Sequence, residues 1–160
     1  MKKFSILAVA ATILLVSCDP KEKNKNNEVT PKAKTKTELL TAGKWQMTAG
    51  TLTTTVMGQT TTQDMYKDME ACEKDDFLLF TSDGKVTFDA GASKCDSMEE
   101  QSSTATWSFY DNETKVILIE NGYKDTADVK ELTESVLKIS SSFTDSLYSY
   151  ETVQTFGRIN

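Results

Sequence analysis

Gly43-Lys44-Trp45-Gln46-Met47-Thr48-Ala49-Gly50-Thr51-Leu52-Thr53-Thr54-Thr55-Val56 is the stretch whose reading decides the fold. Taken in twos, Trp45, Met47, Ala49, Thr51, Thr53 and Thr55 fall on one side, and Gln46, Thr48, Gly50, Leu52, Thr54 and Val56 on the other. A period of two, rich in β-branched residues, is a strand pattern, because successive side chains of extended backbone point to opposite faces. Gly50 is the expected place for a bend. Met57-Gly58-Gln59 supplies a turn, and residues 60–65 are expected to return along the first strand, with threonine facing threonine across the hairpin.

Downstream the text stays strand-like with one interruption. Met65, Met69 and Cys72 recur at spacings of four and three, which predicts a short helical segment over 65–74. Strands are expected at 76–80 and 85–89 around Thr81-Ser82-Asp83-Gly84, where glycine accepts positive φ and aspartate tolerates it. A polar loop over 91–101 leads to 104–110, in which Ala105, Trp107 and Phe109 face inward. Further strands are read at 115–120, 123–132, 136–143 and 147–156, the first two joined by Asn121-Gly122. Consecutive hairpins with no helical crossover close most simply as a small antiparallel up-and-down β-barrel of about eight strands, which leaves no open sheet edge.

The first residues read differently. Lys2 and Lys3 precede an uncharged run from Phe4 to Val16, 13 residues long. A bilayer span needs about 20 apolar residues, so the run fits a secretory leader and not a retained span. It ends at Leu15-Val16-Ser17-Cys18, which resembles the lipobox of bacterial lipoproteins. That resemblance implies removal of 1–17, acylation of Cys18, and a membrane partner held through lipid in the cell envelope, with the outer membrane expected and its face left open. Residues 18–38 carry lysine, asparagine and proline with almost no large apolar side chain, and read as a flexible, disordered linker before a domain over 39–160.

The barrel reading meets a second resemblance. Gly43-Lys44-Trp45 opening the first strand, a string of hairpins, and Arg158 just after the last are similar to the lipocalin pattern. Phe80 to Lys85 is also similar to a hairpin of small lipocalin-like domains in lipoproteins of Gram-negative bacteria. The resemblance implies that Trp45 packs beneath the barrel against Arg158. With Cys18 taken by lipid, Cys72 and Cys95 remain as a pair in an oxidising compartment, and a disulfide is expected between them.

Charge and composition narrow the function. Residues 39–160 hold 10 Lys+Arg against 20 Asp+Glu, a net of −10, which repels phosphate backbones and argues against nucleic acid. With no histidine, Ser-His and Cys-His nucleophiles and histidine metal sites are excluded. Asp75-Asp76, Glu99-Glu100 and Glu70 with Glu73 read as solvated loop charges, so no enzyme, no cofactor and no resident metal are expected, and weak calcium binding is left open. Two readings remain. In the first, the barrel mouth holds a small apolar or amphipathic ligand, contacted by Met47, Leu79, Phe88, Trp107, Phe109, Leu118, Tyr148 and Tyr150. In the second, the barrel is filled and its loops, 65–75 and 91–103, bind an envelope protein or polymer.

Overall fold

The structure, a computed structural model, describes residues 32–160. The leader, Cys18 and most of the linker therefore lie outside the described residues. The first element of the described residues is α1 (Lys36–Leu40), which begins in the segment read as linker and runs into the domain. Thr35 supplies the reason: its Oγ1 accepts from Glu38 N at 3.1 Å and its N donates to Glu38 Oε2 at 2.7 Å, a reciprocal capping box that satisfies exposed amides at a helix start.

Strands follow in an unbroken meander: β1 (Lys44–Val56), β2 (Gln59–Asp64), β3 (Phe77–Phe80), β4 (Lys85–Asp89), β5 (Ser102–Tyr110), β6 (Lys115–Glu120), β7 (Tyr123–Leu132), β8 (Val136–Thr144) and β9 (Tyr148–Ile159). Between β2 and β3 lie two single-turn helices, α2 (Met65–Asp68) and α3 (Ala71–Lys74), where one helical segment was expected. All pairings are antiparallel, and β1 pairs with β9 along its whole length, from Lys44 opposite Ile159 to Val56 opposite Tyr148. That ladder closes β1 and β3 to β9 into an eight-stranded barrel. β2 is an addition outside the ring, folded back on the far half of β1 and joined to it by Thr53–Thr62 and Thr55–Thr60 hydroxyl pairs at 3.1 and 2.9 Å.

The two ends of the barrel differ. At one end α1 lies over the opening, its Leu40 only 2% exposed. Trp45 is completely buried there, and its indole N–H donates to Leu40 O at 2.8 Å. The register sets Arg158 directly opposite Trp45, and the Cγ and Cδ of Arg158 lie close over Gly43, where a side chain would crowd them. Lys36 Nζ donates to Glu113 O at 2.6 Å and Lys34 pairs with Glu134 at 2.7 Å, fixing the segment to the β5–β6 and β7–β8 turns. Next to this cap Phe80, Trp107 and Phe109 meet edge to face at 5.5 and 5.4 Å, with Trp107 Nε1 donating to Thr81 O.

The other end is open because two ladders are short. β1 pairs with β3 only over Lys44–Gln46, and β7 pairs with β8 only over 128–132 opposite 137–140. Beyond those pairs the wall parts into two blades, β8-β9-β1-β2 and β3 to β7.

One expectation about β1 needs correction. The ladder to β9 shifts between Met47 and Ala49, leaving Thr48 as a bulge whose Oγ1 donates to Thr155 O. The extra residue reverses the alternation. Trp45 and Met47 face inward, but beyond the bulge Gly50, Leu52 and Thr54 take the inner positions, opposite Gln154, Thr152 and Tyr150, in place of Ala49, Thr51 and Thr53. The bend thus falls two residues before Gly50.

Because Trp45 joins the cap to the closing ladder, Trp45→Ala should lower the unfolding free energy by about 3–5 kcal/mol, as for a large buried aromatic. Denaturant titration of the two proteins measures this; a loss below 1 kcal/mol would contradict the role given to the cap.

Candidate functional site

The open end leads into an apolar chamber of about 500 Å³. Trp45 and Phe156 form its floor, and Met47, Leu78, Phe88 and Leu118 its walls. These side chains converge because each sits at an inward position of its strand, and the register pairs Met47 with Phe156 and Leu78 with Phe88. A second chamber of about 220 Å³ adjoins it, sharing Leu78, Leu118, Ile139 and Gln154. Phe109 and Val116 line it on one side, and Asp125, Thr126 and Ser141 carry it to the gap between β7 and β8.

The mouth of the larger chamber is built from two loops fastened together. Cys72 of α3 is bonded to Cys95 of the β4–β5 loop, their Cα atoms 5.3 Å apart, as expected from the cysteine count. Closing a loop of this length contributes about 3 kcal/mol through the unfolded chain. Asp75 strengthens the join: its Oδ2 accepts from Ala92 N at 3.1 Å, Ser93 N at 3.0 Å and Ser93 Oγ at 2.8 Å, while its Oδ1 is buried with no partner. Gly91 passes so close to Asp75 O, at a φ of +63°, that a Cβ there would collide with the backbone. On the other side Gln46 Nε2 donates to Lys74 O at 2.9 Å, holding α3 against β1.

The rim is acidic. Glu73, Asp76, Asp89, Glu99 and Glu100 border the larger chamber. Glu73 Oε2 accepts from Glu70 N at 2.6 Å, and Asp89 Oδ1 accepts from Gly91 N and Gln101 Nε2, both at 3.0 Å. Burial pushes the Asp76 carboxyl above its ordinary range, and the charges of Asp75, Glu99, Glu73 and Asp89 push it further. Among the described residues one set of possible metal-ligating atoms converges, Glu70 with Cys72 and Cys95, and both sulfurs are already bonded to each other.

The residues read from sequence as ligand contacts divide. Met47, Phe88 and Leu118 line the larger chamber, and Phe109 and Leu118 the smaller. Trp107 lines neither; it is packed between Phe80 and Phe109 beside the cap. Leu79 is corrected to the outer face, because the buried Phe80 fixes the phase of Phe77-Leu78-Leu79-Phe80 and turns Leu78 inward instead. Tyr148 and Tyr150 lie outside both chambers. The β8–β9 hairpin runs past the last β7–β8 pair, so Tyr150 stacks on Phe143 at 6.0 Å and lies tilted against Tyr148 at 6.1 Å on a projecting ribbon, with Phe143 49% and Tyr148 39% exposed. Leu78, Ile139, Gln154 and Phe156 were not anticipated. Strict alternation in β8 and β9 was the available signal, since Ile139 faces Gln154 and Leu137 faces Phe156.

The Asp76 shift has a sign. A carboxyl raised in the folded state is charged at a cost above its folded pKa, and the cost disappears as pH falls through that range. Asp76→Asn should therefore raise the melting temperature at pH 7 and leave it unchanged below the ordinary carboxylate value of 3.8. Thermal unfolding at the two pH values checks this; a lower melting temperature at pH 7 would contradict it.

A family model described as a lipocalin-like domain matches residues 41–139, from the end of the cap helix to the middle of β8. No curated protein matches the chain. With this match over most of its length, on a closed eight-stranded barrel capped at one end and hollow at the other, the chain belongs to the lipocalin-like domain family.

Proposed function

We propose that the chain is a lipid-anchored, non-catalytic binding module of the cell envelope that holds one small apolar or amphipathic molecule in its larger chamber. The observation that carries this reading is the chamber itself. Its volume of about 500 Å³ falls within the range of small-molecule sites, and its floor and walls are apolar beneath a polar, carboxylate-bearing mouth. A lipocalin-like barrel is a small-ligand-binding fold. The competing reading, action through the loops with a filled barrel, is less well supported by a chamber of this size.

The anchor rests on the leader and on Leu15-Val16-Ser17-Cys18. More than one acyl chain is needed for stable attachment, since each buried methylene contributes about 0.8 kcal/mol. The folded domain is entered through α1 at its capped end, so the point of entry and the mouth lie at opposite ends of the domain. A non-catalytic role is supported by the lack of histidine, which removes Ser-His and Cys-His nucleophile systems.

Leu118→Trp would extend an indole into the space both chambers share. The variant should keep its near-ultraviolet circular dichroism and lose binding of the neutral apolar dye N-phenylnaphthylamine by about tenfold or more, the scale expected when binding volume is replaced by side chain. Equal dye binding by a folded variant would overturn the assignment of the chamber. Separately, Cys18→Ala should move the protein from the membrane fraction to the soluble fraction, and its persistence in the membrane would refute lipid anchoring.

A further inference from the structure

Apolar walls alone do not say which end group a ligand carries, but the charges around the chambers do. Five carboxylates border the larger chamber, those of Glu73, Asp76, Asp89, Glu99 and Glu100, and Asp125 lines the smaller one. No lysine or arginine lines either. The lysines of the two mouth loops with described contacts are turned to other partners: Lys74 Nζ lies 5.2 Å from the ring centre of Tyr66, and Lys94 Nζ donates to the backbone oxygens of Ser97 and Glu99. The ion pairs among the described residues, Lys34–Glu134, Lys85–Asp83 and Asp128 with Lys115 and Lys130, involve none of these six carboxylates.

We infer that the ligand of the larger chamber is a cationic amphiphile, an apolar body carrying an ammonium or other positively charged group that rests among the rim carboxylates. This rests on the reading of the chamber as a ligand site and adds the class of molecule. The physical argument has two parts. An anionic head, such as a fatty carboxylate, would enter a mouth whose lining holds five carboxylates and no lysine or arginine to pair with it. A cationic head with the same tail would find counter-charges already in place, and a cleft lined by one sign of charge concentrates the opposite sign at its mouth. The Asp76 carboxyl agrees with this placement: desolvation raises it first, and the nearby charges of Asp75, Glu99, Glu73 and Asp89 raise it further, so a cation at the rim would favour its charged form. The β4–β5 loop, which carries Glu99 and Glu100, is held in place by the Cys72–Cys95 bond, so this part of the charged rim is pinned relative to α3 and Glu73.

The test compares dodecylammonium, dodecanol and dodecanoate, each below its micelle concentration, on the full chain at pH 7 and low salt, read by isothermal titration calorimetry. Dodecylammonium should bind about tenfold or more tighter than dodecanoate, and the preference should shrink as salt is added. In the triple variant Asp76→Asn, Glu99→Gln, Glu100→Gln, which leaves every apolar wall residue in place, dodecanol affinity should be unchanged while the ammonium preference falls to about threefold or less. Dodecanoate binding as tightly as dodecylammonium, or a preference that survives in the triple variant, would overturn the charge assignment and leave the apolar chamber standing. Failure of all three amphiphiles to bind would remove the chamber as a ligand site and the inference with it.

Discussion

The β1–β9 ladder is the constraint on which the rest depends. Without it the hairpins form an open meander with two exposed edges; with it the outer edge of β9 is used up and a single inner surface is enclosed. Trp45 lies at the start of that ladder and also receives the cap, through its indole N–H to Leu40 O. One side chain thereby couples the strand that closes the ring to the helix that stops its end. Burying an aromatic of this size contributes on the order of 1.5–3 kcal/mol, with the hydrogen bond keeping its polar atom satisfied.

Closure at one end and opening at the other are parts of the same arrangement. Strong ladders on either side of β9 hold one blade together, while the brief β1–β3 and β7–β8 ladders let the two blades separate above the cap. Small residues and helices then occupy the first gap. Met65 and Tyr66 of α2 lie over β1 at Gly50, and α3 is joined to the opposite loop by the Cys72–Cys95 bond and the Asp75 hydrogen bonds. The protein thus holds a wide mouth in a defined shape without continuous sheet around it. A cost remains in that mouth, since partial desolvation of the Asp76 carboxyl, added to by the nearby charges of Asp75, Glu99, Glu73 and Asp89, makes its ionisation unfavourable.

Much of this was legible in the sequence where local rules act alone. The Asn121-Gly122 and Asp83-Gly84 turns have positive φ at Asn121, Gly122 and Gly84, and β4, β6 and β7 begin and end where alternation placed them. The disulfide followed from cysteine number. What escaped was set by tertiary context. A one-residue bulge at Thr48 leaves no mark in a run of threonines, yet it exchanges the faces of β1. Four successive apolar residues in Phe77-Leu78-Leu79-Phe80 fit either phase, and only the burial of Phe80 turns Leu78 inward in place of Leu79. Tyr148 and Tyr150 have the inward phase but stand beyond the last pairing of β7 with β8, a matter of hairpin length that alternation does not encode. The acidic rim was visible as separate pairs of loop carboxylates and was read as solvated charge, because nothing local says that loops far apart in sequence meet around one opening.

If the barrel is hollow in order to hold a molecule, native mass spectrometry of the protein purified from its native source, without added lipid, should show a reproducible adduct of a single small molecule that is lost on denaturation. A bare protein mass, or a stoichiometric protein partner with no small molecule present, would contradict it.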